Sequence, residues 1–165
     1  MRVFIPVTHS GLRDLVGSGG LGPSPLVGFA VTGELRESYA QGDEEELDYA
    51  AMTAAARSAL ALLAEAEAED EDEPPRRVVL AVDADEVTPN VEYGPAGVEL
   101  AHAVPTRQVV AVHVDTAEAE ADVAAAVSML RSGGPRDVDE EFLLDACEGH
   151  ELAWFATQEI GDLLA

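Results

Sequence analysis

Apolar and β-branched residues fill positions 2–8, a run that predicts a buried first strand. A short helix over 11–16 follows. The cluster 17–25, Gly-Ser-Gly-Gly-Leu-Gly-Pro-Ser-Pro, then imposes a loop, because it offers breakers at almost every position. A second strand covers 26–32, and one or two helical turns cover 34–39. The longest periodic segment comes next: Leu47, Ala50 or Ala51, Ala54, Ala55, Ser58 and Leu62 recur at helical spacing, and Tyr49, Met52, Ala56, Leu60 and Leu63 widen that face. Asp43, three residues ahead of Glu46, supplies the cap.

That helix should decay where seven of the nine residues 65–73 are acidic, and Pro74-Pro75 closes the segment. We read 65–75 as a solvated linker inside one domain, not as a boundary between two. Residues 76–83 form the clearest strand, an aliphatic run entered from Arg76-Arg77 and left through Asp83. Strands at 98–104 and 109–114, joined through Pro105-Thr106-Arg107, are most economically a hairpin. Helices over 116–131, 139–147 and 150–164 complete the chain, with Gly133 and Gly149 as their breaks. The expected fold is a single α/β domain over 1–165: a single mixed sheet of about five strands with helices packed against it, and a C-terminal helical segment.

Composition narrows the function classes. A chain of 165 residues, 47% hydrophobic, buries enough surface to fold without staples. Its 33 acidic residues face nine basic ones, all arginine, for a formal charge of −24. The absence of lysine beside abundant Ala, Gly, Val and Asp/Glu is what a GC-rich coding sequence produces, and salt adaptation also yields an acidic surface. Either way the field repels phosphates and anionic lipid, which disfavours direct nucleic-acid or membrane binding. The alanine-rich stretch 49–64 is interrupted by Thr53, Arg57 and Ser58 and falls short of a bilayer span. With one cysteine and no leader-like apolar run, the expectation is a cytoplasmic protein without disulfides.

Several motifs resemble chemistry, and each has a simpler reading. Gly17 to Gly22 matches G-x-G-x-x-G, yet it follows a helix instead of joining a strand to one, so a helix-ending loop is preferred. Asp83-Ala84-Asp85-Glu86-Val87-Thr88 leaves an aliphatic strand and resembles the nucleophile loop of haloacid-dehalogenase-like phosphatases. The resemblance would make Asp83 a nucleophile and Asp85 its partner on a metal, with His9 or His150 as acid or base. The chain departs from that pattern in having no lysine for the transferring phosphoryl group and no second acidic loop. His150-Glu151 opens like a zinc-protease helix, but Trp154 stands where the second histidine ligand belongs, so neither a metal nor a cofactor is expected. His102 and His113 fall within apolar strands and read as sheet histidines. Cys147 stands between Asp145 and Glu148 in the chain and reads as structural.

Rare residue types gather near the C-terminus: Cys147, His150, Glu151, Trp154, Phe155, Gln158 and Glu159. As a helix this stretch would dock Trp154 and Phe155 in the core and leave His150, Glu151 and Glu159 as polar contacts at the edge of a binding site. Three blocks, residues 30–36, 42–57 and 148–159, together resemble a family of small acidic actinobacterial proteins without assigned function. The resemblance implies lineage and a cytoplasmic setting and supplies no activity. The leading expectation is a non-enzymatic module acting on a protein partner, as a homodimer or as a regulator of a basic protein, with nucleic-acid mimicry as a variant. The rival is a metal-assisted hydrolase or phosphotransferase built on Asp83 and Asp85.

Overall fold

The computed structural model describes residues 1–22, 24–39, 41–66, 73–133 and 137–165. In chain order its elements are β1 (Arg2–Val7), α1 (His9–Ser18), β2 (Gly20–Leu21), β3 (Leu26–Phe29), α2 (Gly33–Ser38) and α3 (Glu44–Glu65). They continue as β4 (Val78–Asp83), β5 (Val87–Pro89), β6 (Gly97–Leu100), β7 (Val104–Pro105) and β8 (Val109–Val114). α4 (Glu120–Ser132), α5 (Val138–Glu148), β9 (Ala153–Phe155) and α6 (Ile160–Leu163) end the chain. Part of the acidic stretch 65–75, residues 67–72, lies outside the described residues.

Among the described residues the main sheet has seven strands in the order β5-β6-β3-β1-β4-β8-β9, against an expectation of about five, and its neighbouring strands pair antiparallel. The long aliphatic runs β1, β4 and β8 lie together in its middle, where both faces are covered. The expected hairpin between 98–104 and 109–114 does not form. β6 has β3 and β5 as neighbours, β8 has β4 and β9, and residues 104–105 pair instead with β2. Long-range matching of apolar runs outweighs the short connection. The other added strands, β5 and β9, are three-residue edges with too few positions to show alternation.

One face of the sheet carries Val3, Ile5, Val7, Leu80 and Val112 against Leu12 and Leu15 of α1 and Ile160 of α6. The other carries Phe4, Phe29, Val79, Ala81 and Ala111 against Leu35 of α2 and Leu47, Ala51 and Ala55 of α3. Small alanines bring α3 close to the strands, and its Asp43 cap accepts from the Glu46 amide as the sequence predicts. The second half of α3 leaves the sheet and packs with α4 and α5 through Leu60, Leu63, Val123, Leu144 and Cys147. The glycine cluster resolves into a helix end: Gly19, at φ 80°, is the left-handed cap whose amide donates to the Leu15 carbonyl.

The expected helix over 150–164 is corrected most. Residues 153–155 form an edge strand on β8, Thr157–Glu159 make one 3-10 turn, and α-helix returns only at Ile160–Leu163. Aromatic residues fit a pleated edge, and the otherwise open edge of β8 takes them. Phe155 faces the core, as expected, whereas Trp154 is 61% exposed and does not fill it.

Candidate functional site

Arg77 immediately precedes β4 and Asp115 immediately follows β8, so the antiparallel pairing of those strands brings the two residues together. Their side chains are 2% and 0% exposed. Arg77 Nε and Nη2 each donate to the Asp115 carboxylate at 2.8 Å, and the Arg77 amide donates to it as well. Such a bidentate pair is directional and compensates both charges where water cannot. Nη2 also donates to the His150 carbonyl at 3.0 Å, which ties the segment after α5 to the end of β4.

This anchored corner forms one wall of a cavity of about 280 Å³. α3 packs on β1, β3 and β4, and the sheet face it covers extends past it onto β8 and β9. Tyr49, Met52, Thr53 and Ala56 of α3 make one side, and His113 of β8 faces them. Glu148, His150, Glu151 and Leu152 close the end beyond α5. Trp154 pairs with His113 across the edge of the sheet, on the same face. An open groove continues from Tyr49 and Thr53 to Tyr39, rimmed by Asp43, Glu45 and Glu46.

The polar groups around the cavity are mostly engaged. His150 Nε2 bonds Asp122 at 2.7 Å, and Arg57 bridges Glu148 at 2.6 Å. Burial pushes the His113 imidazole below its ordinary range, so it is neutral at pH 7 and able to donate and accept. The Cys147 thiol is pushed up to about 11, chiefly by burial, and donates to the Asp122 carbonyl. As a protonated, fully buried thiol it is a poor nucleophile. The arrangement suits holding a guest by shape, hydrogen bonds and charge.

Of the residues singled out from the sequence, His150 and Glu151 meet at this cavity. Glu159 does not. It accepts from the Ala156 amide, and neighbouring Thr157 bonds the Val109 carbonyl, at the other end of β8. Asp83 also lies at that far end, ion-paired with Arg2, whose hydrogen bond holds its carboxyl below the usual range. Asp85 is exposed in the following turn, beside a His102–Glu86 contact. His9 begins α1 on the opposite face, its imidazole buried and lowered in pKa by that burial. Neither His9 nor His150 is therefore brought to Asp83 and Asp85. Among the described residues no three His, Cys, Asp or Glu side chains are grouped to hold a metal ion.

Arg77 and Asp115 were not singled out as site residues from the sequence, and His113 and Tyr49 were read there only as a sheet histidine and as part of a helix face. A signal existed in the opposite charges that flank two largely aliphatic strands, Arg77 before one and Asp115 after the other. Its meaning depended on knowing that those strands pair.

The chain belongs to a family of unknown function, DUF6912, whose model matches residues 1–164. No curated protein and no solved structure matches it. That match spans both the cavity and the Asp83 turn, so it favours neither as the working site. No helix among the described residues is long and apolar enough to cross a membrane.

Proposed function

We propose that the protein is a non-enzymatic cytoplasmic interaction module that docks a basic protein partner on the face formed by α3, β8 and β9. The observation that supports this most directly is the exposure of two aromatic residues on this face: Trp154, 61% exposed on an edge strand and paired with His113, and Tyr49, 60% exposed at the mouth of the cavity that His113 also lines. Aromatic side chains left in water on a rigid sheet and helix are the usual anchors of an interface. The groove running from Tyr49 to Tyr39 is rimmed by Asp43, Glu45 and Glu46, and cationic side chains pair well with both carboxylates and aromatic faces. A net charge of −24 raises the encounter rate with such a partner. It also opposes self-association through this face, which argues against the homodimer. The β9 edge adds unpaired backbone groups to which an extended segment can bind.

The alternative, metal-assisted hydrolysis or phosphotransfer at Asp83 and Asp85, has less support: Asp83 is already engaged by Arg2, the expected imidazoles of His9 and His150 lie elsewhere, and the imidazole near Asp85, that of His102, is bonded to Glu86.

The test is capture from a native extract at low and high salt with the wild-type chain, Trp154→Ala and Val91→Ala, an exposed residue near the opposite edge. Basic proteins retained at low salt by wild type and Val91→Ala, and lost from Trp154→Ala, support the reading. Equal retention by all three, or retention insensitive to salt, defeats it. Light scattering of the free protein reports the homodimer.

A further inference from the structure

The cavity presents a guest with two groups of opposite charge. Arg77 satisfies Asp115 through Nε and Nη2 and the His150 carbonyl through Nη2, and among the described residues its Nη1 has no acceptor. The guanidinium is almost wholly buried and lines the cavity, so its remaining edge is the donor it offers there. That edge opens onto the cavity, and a guest that brings an acceptor there gains a charge-assisted hydrogen bond to a donor already held in place. At the rim the charge is reversed. Arg77 pairs with Asp115, Arg57 with Glu148, and His150 is hydrogen-bonded to Asp122, while Glu151 is exposed and has no protein partner among the described residues. The uncompensated charge is therefore negative, and a guest reaching Glu151 should carry a cation there. Met52, Ala56 and Leu152 supply the apolar wall between the two polar ends.

We propose that this cavity binds an α-amino carbonyl unit with a medium-sized apolar side chain: a free amino acid or the N-terminal residue of a peptide. The carbonyl oxygen accepts from Arg77, the ammonium group lies toward Glu151, and the side chain packs on Met52, Ala56 and Leu152. The cavity volume of about 280 Å³ agrees with a guest of this size, since sites for larger drug-sized molecules begin at roughly 300 Å³. Arg77 is held in one orientation by its bonds to Asp115, so little ordering is left for the guest to impose. This inference is separate from partner docking on the outer face: Trp154 does not line the cavity, and Trp154→Ala should leave small-ligand binding in place.

The test titrates leucine, leucinamide, N-acetyl-leucinamide and 3-methylbutylamine into the full chain, read by calorimetry and by the imidazole resonances of His113 and His150. Saturable binding of leucine or leucinamide is expected. Preference for leucine points to a free amino acid, and preference for leucinamide points to a peptide N-terminus. Acetylating the amine or removing the carbonyl should weaken binding by about tenfold or more, the usual effect of losing one charge-assisted hydrogen bond. Glu151→Gln, an exposed change that cannot disturb the core, should weaken leucinamide by a similar factor. Thr53→Phe should fill the cavity and abolish binding. No saturable binding of either leading compound overturns the proposal, as does equal binding of N-acetyl-leucinamide or full binding by Glu151→Gln.

Discussion

Two arginine–aspartate pairs bracket β4, and they have the same 2.8 Å contact distance. At its start Arg77 meets Asp115 with side chains 2% and 0% exposed, whereas at its end Asp83 meets Arg2 with 57% and 46% exposed. The distance therefore says nothing about what either pair contributes. In water the attraction is screened and two long side chains must be ordered, so an exposed pair is worth about 0–1 kcal/mol. In the buried pair each charge was stripped of solvent during folding and is tolerable only while the other is present. The same contrast separates the two candidate sites. The carboxylates around Asp83 are solvated, while the groups around Arg77 are fixed by burial and by each other.

The largest expected effect follows directly. Asp115→Ala leaves the Arg77 guanidinium buried and uncompensated and should destabilise the fold by about 3–5 kcal/mol. For a chain of this length that is a fall of roughly 10 °C in melting temperature. Asp83→Ala should cost under about 1 kcal/mol. Thermal unfolding of the two variants side by side is the measurement. Comparable losses would mean that burial does not separate the pairs.

A smaller effect comes from pH. His113 and His9 both have folded pKa values lowered from 6.5, mainly by loss of solvent. A base whose folded pKa is lowered binds fewer protons in the folded state than in the unfolded state. Its contribution is therefore complete above the unfolded value and is lost as pH falls through the folded one. Asp83 has its folded pKa lowered from 3.8, chiefly by the hydrogen bond from Arg2, so its contribution is present above that value and lost only below it. Melting temperature should begin to fall just below pH 6.5, from the Arg77 end of the sheet and from the start of α1. The Asp83 end should add nothing until pH is under about 4. His113→Gln should flatten the first slope, and Asp83→Asn should leave it unchanged. An unaltered slope in His113→Gln would remove the histidine as its source.

Much of the fold was legible because long runs carry redundant signals. β1, β4 and β8 are dominated by apolar residues, and α3 combines an Asp43 cap with a helical stripe of alanines, so several cues agree on each. β5 and β9 span three residues each, which leaves periodicity nothing to repeat. Residues 150–164 fit a helical wheel, with His150, Trp154 and Gln158 on one row. Yet Arg77 holds the His150 carbonyl and β8 offers an unpaired edge, and both are long-range facts. The site was half legible for the same reason. His150 and Glu151 stood out as rare types, while Arg77 and Asp115, 38 positions apart in sequence, acquire a role only once the strands beside them are paired.

The smallest expected effect concerns Trp154, beside the most tightly held corner of the molecule. A docked helix would have buried the indole, and truncating a buried Trp costs about 3–5 kcal/mol. On β9 it is instead 61% exposed, paired with His113 across the edge of the sheet and outside the core clusters. Trp154→Ala should therefore change stability by no more than about 1 kcal/mol, within the range of cross-strand pairs on a sheet surface. Since this is the chain's only tryptophan, its fluorescence reports the position directly. Emission from the free protein should be red-shifted and readily quenched by acrylamide, and binding of a basic partner should shift it to the blue. A blue, protected indole in the free protein would place Trp154 in a core, and with it the interface built on that residue would fall.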